Sequence, residues 1–268
     1  MKNLILSAII IATTNSYADF KSVEVSDFTG NYRKPDGSAT ASKLLIPESI
    51  TSKINIELKG VEDGYLLEYG DEEFHFKNPP SFINDIDSAS WSKINYSTRT
   101  DQMNTSVDFM SSNIAGSEMN IQKFSAKCYE NRNFSNMYGM QILDACLTNS
   151  TFTVSYFRSS QLSSAYNILL DLPGIENVVA TDISIKNAKL TTSKNSFKFS
   201  GKVDLGMSAN IKIEGKSQLD AENDKVIIKI DKAKASFINI KGRLFDELKK
   251  SESKTFKVSE PYLYFYLK

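Results

Sequence analysis

One histidine, two cysteines and one tryptophan are all that 268 residues contain of those types. So small a stock of imidazole and thiol excludes a zinc site built from several Cys or His ligands. A Ser-His-Asp or Cys-His enzyme would have to use the single histidine, His75. Net charge is also lacking, because 32 Lys plus Arg balance 32 Asp plus Glu. Nucleic-acid-binding chains carry a cationic surplus, so nucleic acid is not an expected partner. No G-x-S-x-G elbow, P-loop, G-x-G-x-x-G or H-E-x-x-H occurs. No pair of carboxylates stands out for glycoside chemistry. No catalytic residue, cofactor or metal is therefore expected.

What is present starts at the N-terminus. Met1-Lys2-Asn3 precedes an apolar run, residues 4–12, and then a polar end with the small residues Ser16 and Ala18. This is the layout of a secretory signal peptide over residues 1–18, cut after Ala18. A membrane anchor needs roughly 20 apolar residues, and Thr13 to Ser16 interrupt the run first. No cysteine follows the cut, which argues against a lipoprotein anchor. The mature chain is one elongated domain, residues 19–268, with an alternative division near Pro173-Gly174. The expected address is the periplasm or the extracellular space. An exported chain meets an oxidising compartment, so Cys128 and Cys146 are expected to pair. A crosslink at that spacing is worth about 3 kcal/mol in the chain-entropy picture.

The body is written in strands. From Ser196, polar even positions alternate with Phe197, Phe199, Gly201, Val203 and Leu205. From Ala209, the odd positions Ile211, Ile213, Gly215 and Leu219 alternate with charged ones. Period two means a strand with one wet and one dry face. Residues 225–237 carry Val226, Ile228 and Ile230 on one side, then lose phase, which reads as a bulge. Residues 181–190 lose phase as well, between Ile185 and Ala188. Short polar links make these four runs an antiparallel meander. The first half is less regular, and residues 29–41 and 78–92 read as the least structured stretches. Residues 136–147 and 244–250 show helical spacing, and 159–172 is ambiguous between helix and strand. The tail, residues 255–268, reads as a strand broken at Pro261; after it, Tyr262, Tyr264 and Tyr266 against Leu263, Phe265 and Leu267 make a stretch apolar on both faces, hence buried.

Three polar clusters invite a metal, and each has a plainer reading. Glu73 and His75 share a strand face, but two ligands do not close a site. Residues 220–224 open like a calcium loop, yet Lys225 and Asp231 stand where the EF-hand needs Gly and Glu. Asp85 and Asp87 lie in a Ser-rich stretch.

Three long amphipathic strands over residues 189–237, the short helix LFDELKK (244–250) and the closing strand PYLYFYL (261–267) together resemble the tubular lipid-binding superfamily, the TULIP or BPI-like proteins. The resemblance is one of pattern over the last 90 or so residues. It implies a mainly β fold: a long, highly curved antiparallel sheet wrapping one or two helices around an apolar tube for acyl chains. The chain departs from that pattern in lacking one long apolar helix; residues 136–147 and 159–172 are shorter substitutes.

Apolar side chains held apart by curvature make a dry cavity, and each buried methylene contributes roughly 0.8 kcal/mol. The candidate lining is Phe197, Phe199, Val203, Leu205, Ile211, Ile213, Val226, Ile228 and Ile230. The expected partners are an acyl-chain lipid or other apolar ligand and a transient membrane contact. Three alternatives stay open: the same side chains form a filled core, the chain is a β-sandwich adhesin or interaction module, or it is an envelope hydrolase with unidentified carboxylates.

Overall fold

The computed structural model describes residues 24–46, 49–69, 72–77, 85–98, 101–130, 134, 137, 139–160, 184–204 and 208–267. They form one antiparallel sheet and two helices. The strands are β1 (Glu24–Arg33), β2 (Asp36–Ile46), β3 (Ser49–Val61), β4 (Gly64–Tyr69), β5 (Glu72–Lys77), β6 (Ile86–Thr98), β7 (Gln102–Ile114) and β8 (Ser117–Tyr129), followed by α1 (Gly139–Thr148). Then come β9 (Asn149–Ser159), β10 (Ser184–Ser193), β11 (Ser196–Asp204), β12 (Ser208–Asp220), β13 (Lys225–Ala235), β14 (Ile238–Asn239), α2 (Lys241–Lys249), β15 (Phe256–Ser259) and β16 (Tyr262–Tyr266). The path across the sheet is β15-β16-β13-β12-β11-β10-β9-β8-β7-β6-β1-β2-β3-β4-β5, with β14 set beside β13. Its two ends do not meet, so the sheet is open.

The mainly β class and the meander of β10 to β13 match the sequence reading. The first half is as regular in topology as the second. Residues 29–41, which read as unstructured, lie mostly in β1 and β2, and residues 86–92 open β6. Their Gly, Asn, Asp and Ala lower intrinsic strand preference, but pairing on both sides overrides it. The predicted helices appear three residues late (α1) and three early (α2). The tail does form two strands, but it is not buried on both faces. Leu263 is buried, whereas Tyr262 and Tyr266 are exposed. Residues 1–18, 78–84 and 161–183, which hold the signal-peptide reading, part of the loop reading and most of the ambiguous helix, lie outside the described residues.

One feature explains why the first half looks irregular in sequence. Asp27, Lys53, Lys93, Lys123 and Asn187 each adopt φ between 50° and 56° inside β1, β3, β6, β8 and β10. Non-glycine residues rarely enter this region. The ladder skips them together: Ile94 pairs Val107, Val107 pairs Phe124, Phe124 pairs Val154 and Val154 pairs Ala188. Beyond the skip, Trp91 pairs Met110, Met110 pairs Ile121, Ile121 pairs Phe157 and Phe157 pairs Ile185. Directly opposed residues share a face, so each of these strands spaces two same-face residues three apart instead of two. Ile185 and Leu190 show the result, since five residues separate them and both pack on one core. These interruptions fall along a single line across neighbouring strands.

Candidate functional site

Eight of the nine candidate lining residues are described, and the ladder brings all eight to one face; Leu205 lies outside the described residues. Phe197 opposes Gly215, Phe199 opposes Ile213, and Val203 opposes Ala209 next to Ile211. Ile230, Ile228 and Val226 continue the face on β13. Phe197, Val203, Ile211, Val226 and Ile230 are buried, while Phe199, Ile213 and Ile228 are half-buried. What covers them is protein. Phe245 of α2 has no exposed surface, and Ile240, Phe256, Val258 and Leu263 pack into the same cluster. Sequence periodicity did not bring out Phe256 and Val258 as core residues, because β15 is only four residues long. Gly215 sits where β13 shifts register, and a Cβ there would fall on the Lys229 carbonyl.

A second cluster lies under α1. The Cys128–Cys146 disulfide ties this helix to β8, with Met103, Phe134, Met137 and Ala145 buried around it. The last carbonyls of a helix have no partner within the helix. Here the sheet supplies them: Thr192 Oγ1 donates to the Cys146 carbonyl at 3.0 Å and Ser217 Oγ to that of Leu147 at 3.3 Å. The Thr192 hydroxyl also meets Ser150 Oγ at 2.8 Å. These buried hydroxyls therefore hold α1 against the sheet. The disulfide suits an oxidising compartment, and among the described residues no helix is long and apolar enough to cross a membrane.

The same inner face runs on beyond both clusters, over β9 to β6 and β1. There it carries Phe28, Trp91, Met110, Ile121 and Phe124, which are half-buried, and Val107 and Phe157 in the same rows, which are buried. Phe28 and Trp91 stack with ring centroids 5.5 Å apart. Gly30 makes room for them, because a Cβ there would meet Trp91 Cζ2 at 2.7 Å. Trp91 Nε1 is shielded from solvent and has no hydrogen-bond partner. Among the described residues, α1 packs on β8, β9, β10 and β12, and α2 on β13 and β15. At the far end Tyr32 Oη and Tyr65 Oη meet at 3.0 Å. Burial, then this hydrogen bond, raise the Tyr32 phenol far above its ordinary value.

The polar clusters resolve into structural roles. His75 Nε2 lies 2.8 Å from Asp63 Oδ1, and Lys77 reaches the same carboxylate, so Glu73 and His75 do not form a pair on their own. Asp220 takes the backbone and side-chain N–H of Asn223 and the Lys225 ammonium, which hold its carboxyl below the usual range. It closes a hairpin turn. The backbone N–H of Gly116 donates to the Asp87 carboxylate at 3.3 Å, which ties the start of β6 to the β7–β8 turn. Among the described residues no group of three or more His, Cys, Asp or Glu is placed to hold a metal.

The balanced total charge conceals a division. Residues 24–130 carry 17 Asp plus Glu against 10 Lys plus Arg, a net −7. Residues 184–268 carry 18 Lys plus Arg against 10 Asp plus Glu, a net +8. The sum hides a dipolar molecule, acidic towards β5 and basic across β10 to β13. No protein-family model matches this chain, and no curated protein matches it.

Proposed function

We propose that this protein is an exported, non-enzymatic binder of an acyl-chain lipid or similar apolar ligand, held against the inner face of its sheet. The observation that carries this reading is the continuity of that face. It runs apolar from β13 to β1; among the described residues, α2 and the C-terminal strands cover the β11 to β13 end, and α1 packs on β8, β9, β10 and β12. The eight described candidates of the sequence reading lie at the filled end of this face. The half-buried stretch around Trp91, Met110, Ile121 and Phe124 is where an acyl chain would lie. The row of left-handed residues marks where the sheet of a tubular lipid-binding fold would bend. Each methylene placed there contributes roughly 0.8 kcal/mol, so a long chain binds without a charged anchor.

The lone tryptophan makes the test direct. Solvent extraction of the purified protein followed by lipid mass spectrometry is expected to recover stoichiometric acyl lipid. In delipidated protein, a fatty acid brominated along its chain is expected to quench Trp91 fluorescence saturably. Extracts free of lipid together with unquenched Trp91 would overturn the proposal.

A further inference from the structure

We infer that the outward face of β10 to β13 docks on an anionic lipid bilayer, with Phe237 as the inserted anchor. This surface lies on the opposite side of the sheet from the proposed acyl-chain site and needs nothing bound there. Three observations converge on it.

The first is a set of unpaired cations. Lys189, Lys198, Lys202, Lys212 and Lys234 are all exposed, and among the described residues none has a carboxylate within ion-pair distance. The acids of this face are already engaged: Asp204 with Lys186 at 2.8 Å, Asp231 with Lys229 at 2.9 Å, and Glu214 with Lys232 at 3.6 Å. The second is their placement. Lys212 stands directly opposite Lys234, and Lys186 directly opposite Lys202. Like charges in directly opposed positions destabilise a sheet. A fold that keeps them is relieved by an external anion.

The third is Phe237, which is 82% exposed, the most exposed of the large apolar side chains described. It sits on the turn between β13 and β14 next to Ser236, whose φ is 53° and whose N–H donates to the Asn210 carbonyl at 2.6 Å. That bond fixes the turn against β12. Phe237 thus borders an open groove of 480 Å³ shared with Lys202 and Lys212.

A bilayer fits this combination better than a macromolecule with relief of its own. The lysines form a two-dimensional array on a sheet surface, and a single aromatic projects from its border. One apolar anchor plus a polybasic patch is the two-signal logic of reversible membrane attachment. A protein interface would instead cluster several apolar anchors around its centre, and none surrounds Phe237 among the described residues.

The test is co-sedimentation of the full chain with phosphatidylcholine vesicles, with and without phosphatidylglycerol. Binding is expected only with the anionic lipid, and it is expected to fall as salt rises. Each lysine near an anionic surface contributes about fivefold, so the triple variant Lys202→Gln, Lys212→Gln, Lys234→Gln should lose about a hundredfold in affinity. Phe237→Ala should lose about tenfold and keep its salt dependence. The triple variant should melt no lower than the parent, because cross-strand repulsion has been removed. Equal binding to both vesicle types, or to neither, overturns the inference. So does a triple variant that binds like the parent or melts well below it. Retention on a nucleic acid or an acidic polypeptide without vesicle binding overturns it as well. Trp91 quenching by the brominated fatty acid is read separately, so failure at one face is distinguishable from failure at the other.

Discussion

β11 and β12 run for 9 and 13 residues without a break in their alternation, whereas β1, β3, β6, β8 and β10 each change phase at one left-handed residue. The unbroken strands belong to the half of the sheet whose inner face is filled. Twelve buried residues close there under α2 and the C-terminal strands. On the interrupted strands β1, β6 and β8, Phe28, Trp91, Ile121 and Phe124 stay half-buried beside buried Met119 and Ala126. The filled half is basic and the other acidic. One topology, a meander of hairpins, therefore supports two different energetic situations. What separates them is how much of the apolar face meets the other described elements.

That contrast can be broken by mutation. The largest effect is expected in the filled half, where Phe245→Ala removes a ring with no exposed surface. It should cost about 3–5 kcal/mol in urea-induced unfolding. Replacing Cys128 and Cys146 together by Ala should cost about 3 kcal/mol in the same measurement, and adding reductant to the parent should reproduce it. In the interrupted half, Met110→Ala should cost only about 1–2 kcal/mol, because its side chain is already partly in water. It should nonetheless weaken quenching of Trp91 by the brominated acyl chain. A loss as large as that of Phe245→Ala would erase the distinction between the two halves.

Smaller effects sharpen the comparison by pH. The raised Tyr32 phenol favours the neutral form in the folded protein. Its contribution is complete below the unfolded value of about 10 and is lost as pH rises towards the folded one. Tyr32→Phe should therefore cost about 1 kcal/mol near neutrality and flatten the alkaline fall in melting temperature. Asp220 has the opposite sign, since its turn holds the carboxyl below its ordinary value. Its contribution is present above about pH 3.9 and is lost as pH falls through the folded value. Asp220→Asn should lower the melting temperature slightly at neutral pH and leave it unchanged in strong acid.

The same contrast decides what could be read from the chain. The period of two at Phe197 to Val203 and at Ile211 to Leu219 is legible because nothing interrupts β11 and β12. Ile185 and Ala188 look out of phase because Asn187 inserts between them. The reason is visible only in the ladder, where five neighbouring strands skip at the same row. No local signal marks Lys53, Lys93 or Lys123 as left-handed, since lysine has no preference for that conformation. The residues of the proposed acyl-chain surface were missed for this reason. Trp91 and Ile94, or Met110 and Val107, do not look like one face in a strand. The lysine array was hidden differently. Its members are distant in sequence, and a net charge of zero gave no reason to look for them.

By itself the sequence determined the class of structure and its staple. Alternation, short polar turns and two cysteines require an antiparallel sheet and allow one disulfide, because these depend on local geometry and on counting. Tertiary structure decided which part of the apolar face α2 and the C-terminal strands fill. That depends on where α2 and β15–β16 come to rest, a long-range outcome that no window of residues encodes. It also decided where charge accumulates, since only strand pairing sets Lys212 opposite Lys234.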